Sequence, residues 1–235
     1  MTNLLTIESI HTFIGQFHIL QGISLAVPQG SITALLGRNG AGKTTTLRSI
    51  IGLDAPRTGQ IVFDGMAIQG RPTYEIATLG IGYVPEHRAI FRDLTVEENL
   101  KIAERHKGDL DRKINLIFEL FPDLKRFYRL DGGKLSGGQR QMLAIARALV
   151  PDNRLLLIDE PSEGLPHPIV EQIIAVLRQL SEHLTVLLVE QNFHMAAQLA
   201  DRYYILDDGY SVHNGHMAHL VKDHALTDRY LGTGS

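Results

Sequence analysis

The chain has 235 residues, 44% of them hydrophobic, a formal net charge of −3 and no cysteine. Its length fits one domain, or one core with a sizeable insertion, and buries enough surface to fold by packing alone. Without cysteine there is neither a disulfide framework nor a thiolate metal site, which suits a reducing compartment.

The charge offers no general basic face for nucleic-acid phosphates. No apolar run reaches the roughly 18 residues of a membrane span, and residues 1–10 lack the basic start and apolar core of a signal segment. The expectation is a chain soluble inside the cell and able to dock on a membrane protein.

In chain order, a turn at 27–30 is followed by I-T-A-L-L, a short buried strand that runs into G-R-N-G-A-G-K-T-T at 37–45. A helix is predicted from Thr44 to about Gly52, where G-L-D-A-P-R-T-G turns the chain into the strand Q-I-V-F. T-V-E-E at 95–98 places Glu three residues after Thr, the pattern that satisfies free amides at a helix start, and predicts a helix to about His106. Ile114, Ile117, Phe118 and Phe121 then repeat at helical spacing until Pro122. Residues 90–150 therefore read as mostly helical.

Beyond them, R-L-L-L-I-D-E and T-V-L-L-V-E-Q-N predict two strands separated by a helix over 169–181. Strands alternating with helices imply an α/β fold with a largely parallel sheet. G-T-G-S at the end reads as loose.

Three stretches carry chemistry. Gly37, four residues, then Gly42, Lys43 and Thr44 match a phosphate-binding P-loop. Its glycines let the amides of Arg38, Asn39, Gly40, Ala41 and Thr45 converge on phosphate, while Lys43 reaches the β and γ groups and the Thr44 hydroxyl ligates magnesium. An ordinary glycine turn is the competing reading, disfavoured by the strand before and the helix after.

Asp159 and Glu160 stand at the carboxyl end of an apolar strand, where open parallel sheets bind ligands. Asp159 is expected to hold magnesium and Glu160 to polarise the attacking water. L-S-G-G-Q at 135–139 precedes a helix whose buried face is Met142, Ile145, Ala146 and Leu149. Ser136, Gly137, Gly138 and Gln139 then sit at an amino end that favours an anion. His213, His216 and His219 read as surface histidines rather than a metal site, and Asp93, Glu97 and Glu98 as a helix-start charge cluster.

The P-loop, L-S-G-G-Q, the run ending D-E, and P-S-E-G-L just after it together resemble, in this order, the ATP-binding cassette (ABC) family. The resemblance implies a P-loop NTPase cassette in one domain: an α/β core at 1–88 and 151–222, an N-terminal antiparallel β region, an inserted helical subdomain at 89–150 and a C-terminal tail at 223–235. It implies ATP and Mg2+, two cassettes packed head to tail, and each ATP lying between Lys43 of one subunit and the Ser136–Gln139 loop of the other. Two transmembrane permease subunits, and indirectly a solute-binding protein, are the implied partners, with no nucleic acid. The implied place is the cytoplasmic face of the membrane.

Two positions depart from the family pattern. Gln191 stands where most cassettes have a histidine against the γ-phosphate, and Glu86 in Y-V-P-E-H-R stands where Gln is usual. Gln191 can donate an amide hydrogen bond but cannot become a cation, and Glu86 is expected to ligate magnesium or orient water. The polar tip of the strand, Glu190 to Asn192, is accordingly expected to face the nucleotide.

For the adenine-stacking aromatic, Ile14 occupies the usual Tyr position and Phe13 is the candidate, with Phe17 beside it. V-P-E-x-R, L-V-E-Q-N and the closing R-Y-L-G resemble the second of two ATPase subunits in importers for branched-chain amino acids. Importers for urea or short amides have similar cassettes. A soluble cassette of iron–sulfur assembly differs in its partners.

Overall fold

The computed structural model describes residues 2–232; Met1 and the last three residues of G-T-G-S lie outside the described residues. Strands β1 (Asn3–Ile14) and β2 (Phe17–Pro28) form an antiparallel hairpin. Next, β3 (Ile32–Leu36) leads through the glycine loop into α1 (Lys43–Ile50). Then come β4 (Thr58–Phe63), β5 (Met66–Ala67), α2 (Thr73–Thr78) and β6 (Ile81–Val84). The helices α3 (Val96–Lys101), α4 (Asp109–Leu120), α5 (Pro122–Arg126) and α6 (Gly137–Leu149) separate β6 from β7 (Leu155–Asp159). The remaining elements are α7 (His167–Ser181), β8 (Thr185–Val189), α8 (Phe193–Leu199), β9 (Arg202–Asp207), β10 (Tyr210–His216), α9 (Met217–Leu220) and α10 (His224–Leu231).

The central sheet has the order β10-β9-β3-β8-β7-β6, parallel throughout except for β10. A second, antiparallel sheet has the order β2-β1-β4-β5. The strands β3, β7 and β8 are buried along their whole length because both faces are covered. Leu156, Ile158, Val186 and Leu188 pack on the side of α6 and α7, whereas Leu155, Leu157, Leu187 and Val189 pack with α1 and the antiparallel sheet. Covering from both sides is why these strands are almost wholly apolar in the sequence, Thr33 in β3 being a buried polar exception.

One expectation about extent is corrected. The helix that begins at the Thr95–Glu98 capping box ends at Lys101, short of His106. Beyond it the backbone amides of Arg105 and His106 bond the Asp109 carboxylate, and that of Gly108 bonds the Glu104 carboxylate. Side-chain acceptors have replaced the helical ladder there. The C-terminal tail carries α10, whose Leu226, Tyr230 and Leu231 pack against the core.

Candidate active site

The glycine loop is fixed at both ends, by the sheet position of β3 and by packing beneath α1. Gly42 has φ +100°, and a Cβ there would lie 2.7 Å from the Leu20 side chain. Only glycine fits that turn without strain. As the residue before α1, Gly42 gives the helix no side-chain cap, so its first amides are not claimed by one. Such a helix start suits phosphate.

Lys43 is buried and folds back over the loop. Its Nζ donates to the carbonyls of Gly37 at 2.9 Å and Arg38 at 3.2 Å, and lies 3.2 Å from Glu160 Oε1. The neighbouring Thr44 hydroxyl donates to Asp159 Oδ1 at 3.1 Å, and the Tyr83 hydroxyl donates to Oδ2 at 3.4 Å. Burial pushes the Asp159 carboxyl up to about 6, the nearby carboxylates Glu160 and Glu86 adding to the effect and the Thr44 bond opposing it. Thr44 and Asp159 form a pair of hard oxygen donors of the kind magnesium takes.

Glu160 follows β7 with φ +43°, a left-handed conformation in a non-glycine residue. Its amide donates to Val189 O at 2.9 Å, which ties this turn to β8. A cleft of about 440 Å³ opens here, with Asn39, Gly40, Lys43, Thr44, Glu86 and Glu160 among its walls. Gly42, Thr45 and Glu163 complete the polar wall, and Ile14 and Ile19 make the apolar side. Arg38 turns away: its guanidinium donates to the carbonyl of Arg229 on α10 at 3.0 Å. Ala41 is buried under the loop.

Phe13 is not among the walls of the cleft. It stacks on His18, with ring centroids 4.2 Å apart, and carries the Arg57 guanidinium on its ring at 3.9 Å; Ile14 is the residue of this pair that lines the cleft. Successive strand residues face opposite sides, so the one-residue choice decides which side chain meets the cleft.

The L-S-G-G-Q stretch caps α6. Ser136 Oγ accepts from the Gln139 amide at 3.2 Å, and Gln139 Oε1 accepts from the Ser136 amide at 2.9 Å. Gly138 is required by packing, since a Cβ would lie 2.8 Å from Ile169 on α7. Met142, Ile145, Ala146 and Leu149 are all buried. Ser136, Gly137, Gly138 and Gln139 do not line the cleft around Lys43.

The tip of β8 divides three ways, and the expectation that all of it faces the nucleotide is corrected. Glu190 is 1% exposed and turns inward, accepting from the Ser162 amide and hydroxyl at 3.0 Å each and from the Asn192 amide at 3.1 Å. Burial pushes its carboxyl up to about 7, although these hydrogen bonds pull the other way. Asn192 caps α8 by accepting from the Met195 amide. Gln191 alone is exposed, and it lies outside the walls of the cleft.

Sequence reasoning missed Tyr83 and the Glu190–Ser162 contact. The only signal for the latter was the serine in P-S-E-G-L, the stretch that follows Asp159 and Glu160 directly.

A two-sheet cassette with this loop and this carboxylate pair defines a nucleotide-binding ATPase, and the ABC transporter family model matches residues 20–163. The chain belongs to that family, whose cassettes are ATPases coupled to transport. Over 232 residues it is 41% identical to the high-affinity branched-chain amino acid transport ATP-binding protein BraG of Pseudomonas aeruginosa, covering 97% of this chain and 100% of that one. It is 39% identical over 221 residues to the probable branched-chain amino acid transport ATP-binding protein LivF of Archaeoglobus fulgidus, covering 92% and 94%. A solved ATP-binding cassette of an ABC transporter in its ADP conformation superimposes with a TM-score of 0.87 over 100% of both chains; at 23% identity it speaks for the fold alone.

Proposed function

We propose that this chain is the ATP-hydrolysing motor subunit of an importer for branched-chain amino acids. It sits at the cytoplasmic face of the membrane, paired with a second cassette and bound to two permease subunits that take cargo from a solute-binding protein. The observation that carries this reading is the end-to-end similarity to BraG. Among the described residues no helix is long and apolar enough to cross a membrane, so attachment comes through partners.

The chemistry is phosphoryl transfer to water. Phosphate oxygens are held by the free amides at the start of α1 and by Lys43, whose ammonium exchanges loop carbonyls and Glu160 for the ligand. Thr44 and Asp159 would hold Mg2+, with Glu86 on the same wall as a further ligand or as a water-orienting group. When bound there, magnesium supplies positive charge against the phosphate oxygens. Glu160 aligns a water whose oxygen attacks the γ-phosphorus as the bond to the ADP oxygen breaks, releasing ADP and inorganic phosphate. In this reading Gln191 donates an amide hydrogen bond to the γ-phosphate from an exposed position outside the cleft walls.

Ser136 and Gly138 act on the partner's nucleotide, a role supported by their absence from the walls of their own chain's cleft. Residues 89–150 act as a unit against the nucleotide-binding core. The permeases engage the groove of about 340 Å³ between that unit and the core, where Arg147 Nε and Asn153 Oδ1 lack a hydrogen-bond partner among the described residues.

The test is to recover the chain from gently solubilised native membranes and identify its companions by mass spectrometry, then to measure solute-stimulated ATP turnover of the recovered complex. Two membrane subunits, a second cassette and stimulation by leucine or valine are expected. Recovery only in the soluble fraction, with assembly proteins, would overturn the transport reading. Stimulation by urea or short amides instead would overturn the cargo.

A further inference from the structure

Arg88 stands where three segments meet. Its Nε donates to Gln141 Oε1 at 3.1 Å, and its Nη2 donates to the backbone carbonyl of Glu163 at 3.0 Å. Gln141 is buried on α6, just past the Ser136–Gln139 end of that helix. Glu163 closes the turn after Glu160 and lines the cleft. Arg88 itself is two residues from Glu86. One guanidinium therefore reaches from the Glu86 loop to α6, the helix that L-S-G-G-Q caps, and to the turn behind the water-aligning carboxylate.

The loop is held in a conformation that ordinary residues avoid. Arg88 and Ala89 have φ +63° and +42°, successive left-handed positions without glycine. Such backbone persists where the surroundings over-determine it. Here α6 grips the loop twice, through Gln141 on Arg88 and through Arg147, whose Nη1 donates to Ala89 O at 2.6 Å. A forked guanidinium serves two acceptors lying in different directions, whereas a lysine ammonium is a point charge on a flexible stem.

We propose that Arg88 is a positioning residue for hydrolysis: it locks the Glu86 loop, the Ser136–Gln139 end of α6 and the 160–165 turn together, so that a shift of one is carried to the others. This rests on the reading of the cleft as an ATPase site. Arg88 does not line the cleft around Lys43, although it does line the groove assigned to the permeases; its removal leaves ATP binding intact, and the loss of turnover belongs to the chemical step when the variant still copurifies with both permease subunits.

The experiment uses the full chain in its membrane complex, with Arg88→Met, Arg88→Lys, Gln141→Ala and the Arg88→Met, Gln141→Ala double variant. Arg88→Met is expected to lower kcat about tenfold with KM for ATP unchanged, a displaced catalytic carboxylate being enough for that. Arg88→Lys fails to restore the rate. The double variant is no slower than Arg88→Met, because the bond it removes is already lost.

Amide hydrogen exchange gives a readout independent of turnover: residues 137–141 and 160–165 exchange faster in Arg88→Met by about threefold or more, while β3 and β8 are unchanged. Wild-type kcat, full rescue by lysine, additive losses in the double variant, or unchanged exchange in these two segments would each overturn the proposal. If the wild-type complex shows no ATPase activity, the ATPase reading falls, and the exchange result still decides whether Arg88 joins the segments.

Discussion

The strands β7 and β8 lie side by side, five buried residues each, and the register that pairs Asp159 with Val189 sets Glu160 and Glu190 at equivalent places one residue further on. The two glutamates then part. Glu160 adopts φ +43° and meets the Lys43 ammonium at the cleft, with 11% of its side chain exposed; Glu190 is 1% exposed and turns inward to Ser162. Position at the end of a parallel strand therefore does not by itself assign a role. A cation beside one carboxylate and a set of buried donors around the other make the difference, and Glu190 holds Ser162 in the turn that follows Glu160.

The comparison breaks most visibly at Glu160. Glu160→Gln keeps the size of the side chain and removes its charge, so ATP binding persists, turnover falls by about two to three orders of magnitude, and the closed cassette pair accumulates. Steady-state hydrolysis, equilibrium nucleotide binding and gel filtration read the three effects. Turnover at the wild-type rate would take the water-aligning role from Glu160.

Glu190→Ala has its main effect on stability. It strands the Ser162 and Asn192 amides in the interior, a loss of about 2–4 kcal/mol in urea unfolding. A loss below about 0.5 kcal/mol, typical of an exposed site, would mean that the turn does not depend on this carboxylate.

A subtler version separates charge from shape. The Glu190 carboxyl is pushed up to about 7, mainly by burial, from an ordinary 4.5. The folded protein thus binds a proton that the unfolded chain has already released at intermediate pH. That contribution is fully present below about 4.5 and is lost as pH rises through about 7. Between pH 5 and pH 8 the wild-type protein should lose more melting temperature than Glu190→Gln, whose amide does not titrate. Parallel pH slopes in the two proteins would show Glu190 ionised at an ordinary pKa in the folded state.

Much of the fold was legible because β3, β7 and β8 are covered on both faces and so appear as almost wholly apolar runs, and because the P-loop is contiguous in sequence. The end of α3 was not legible: Glu104 and Asp109 capture backbone amides that a helix would have used, and periodicity does not register that competition. Which aromatic meets the cleft was not legible either, because Ile14 fills the wall position beside Phe13 and the ring of Phe13 stacks on His18 instead. The contacts of Arg88 lie 53 and 75 residues away in the chain, so V-P-E-x-R gave no hint of what its arginine touches.

The smallest expected effect is at Gln191, the exposed residue between the buried Glu190 and the helix cap Asn192. An amide does not titrate between pH 6 and 8, so any slope in the wild-type rate profile over that range comes from other groups and survives in Gln191→Ala. Gln191→His is the sharper variant, because an exposed imidazole near its ordinary pKa adds a titration around 6.5 if the side chain meets the γ-phosphate while turnover proceeds. Its rate would then rise toward low pH relative to wild type, as the cationic form gains a charge-assisted bond that the amide lacks. A profile for Gln191→His that overlays the wild type would place residue 191 away from the phosphate throughout the cycle. The tip of β8 would then serve the site only through Glu190 and the turn it holds.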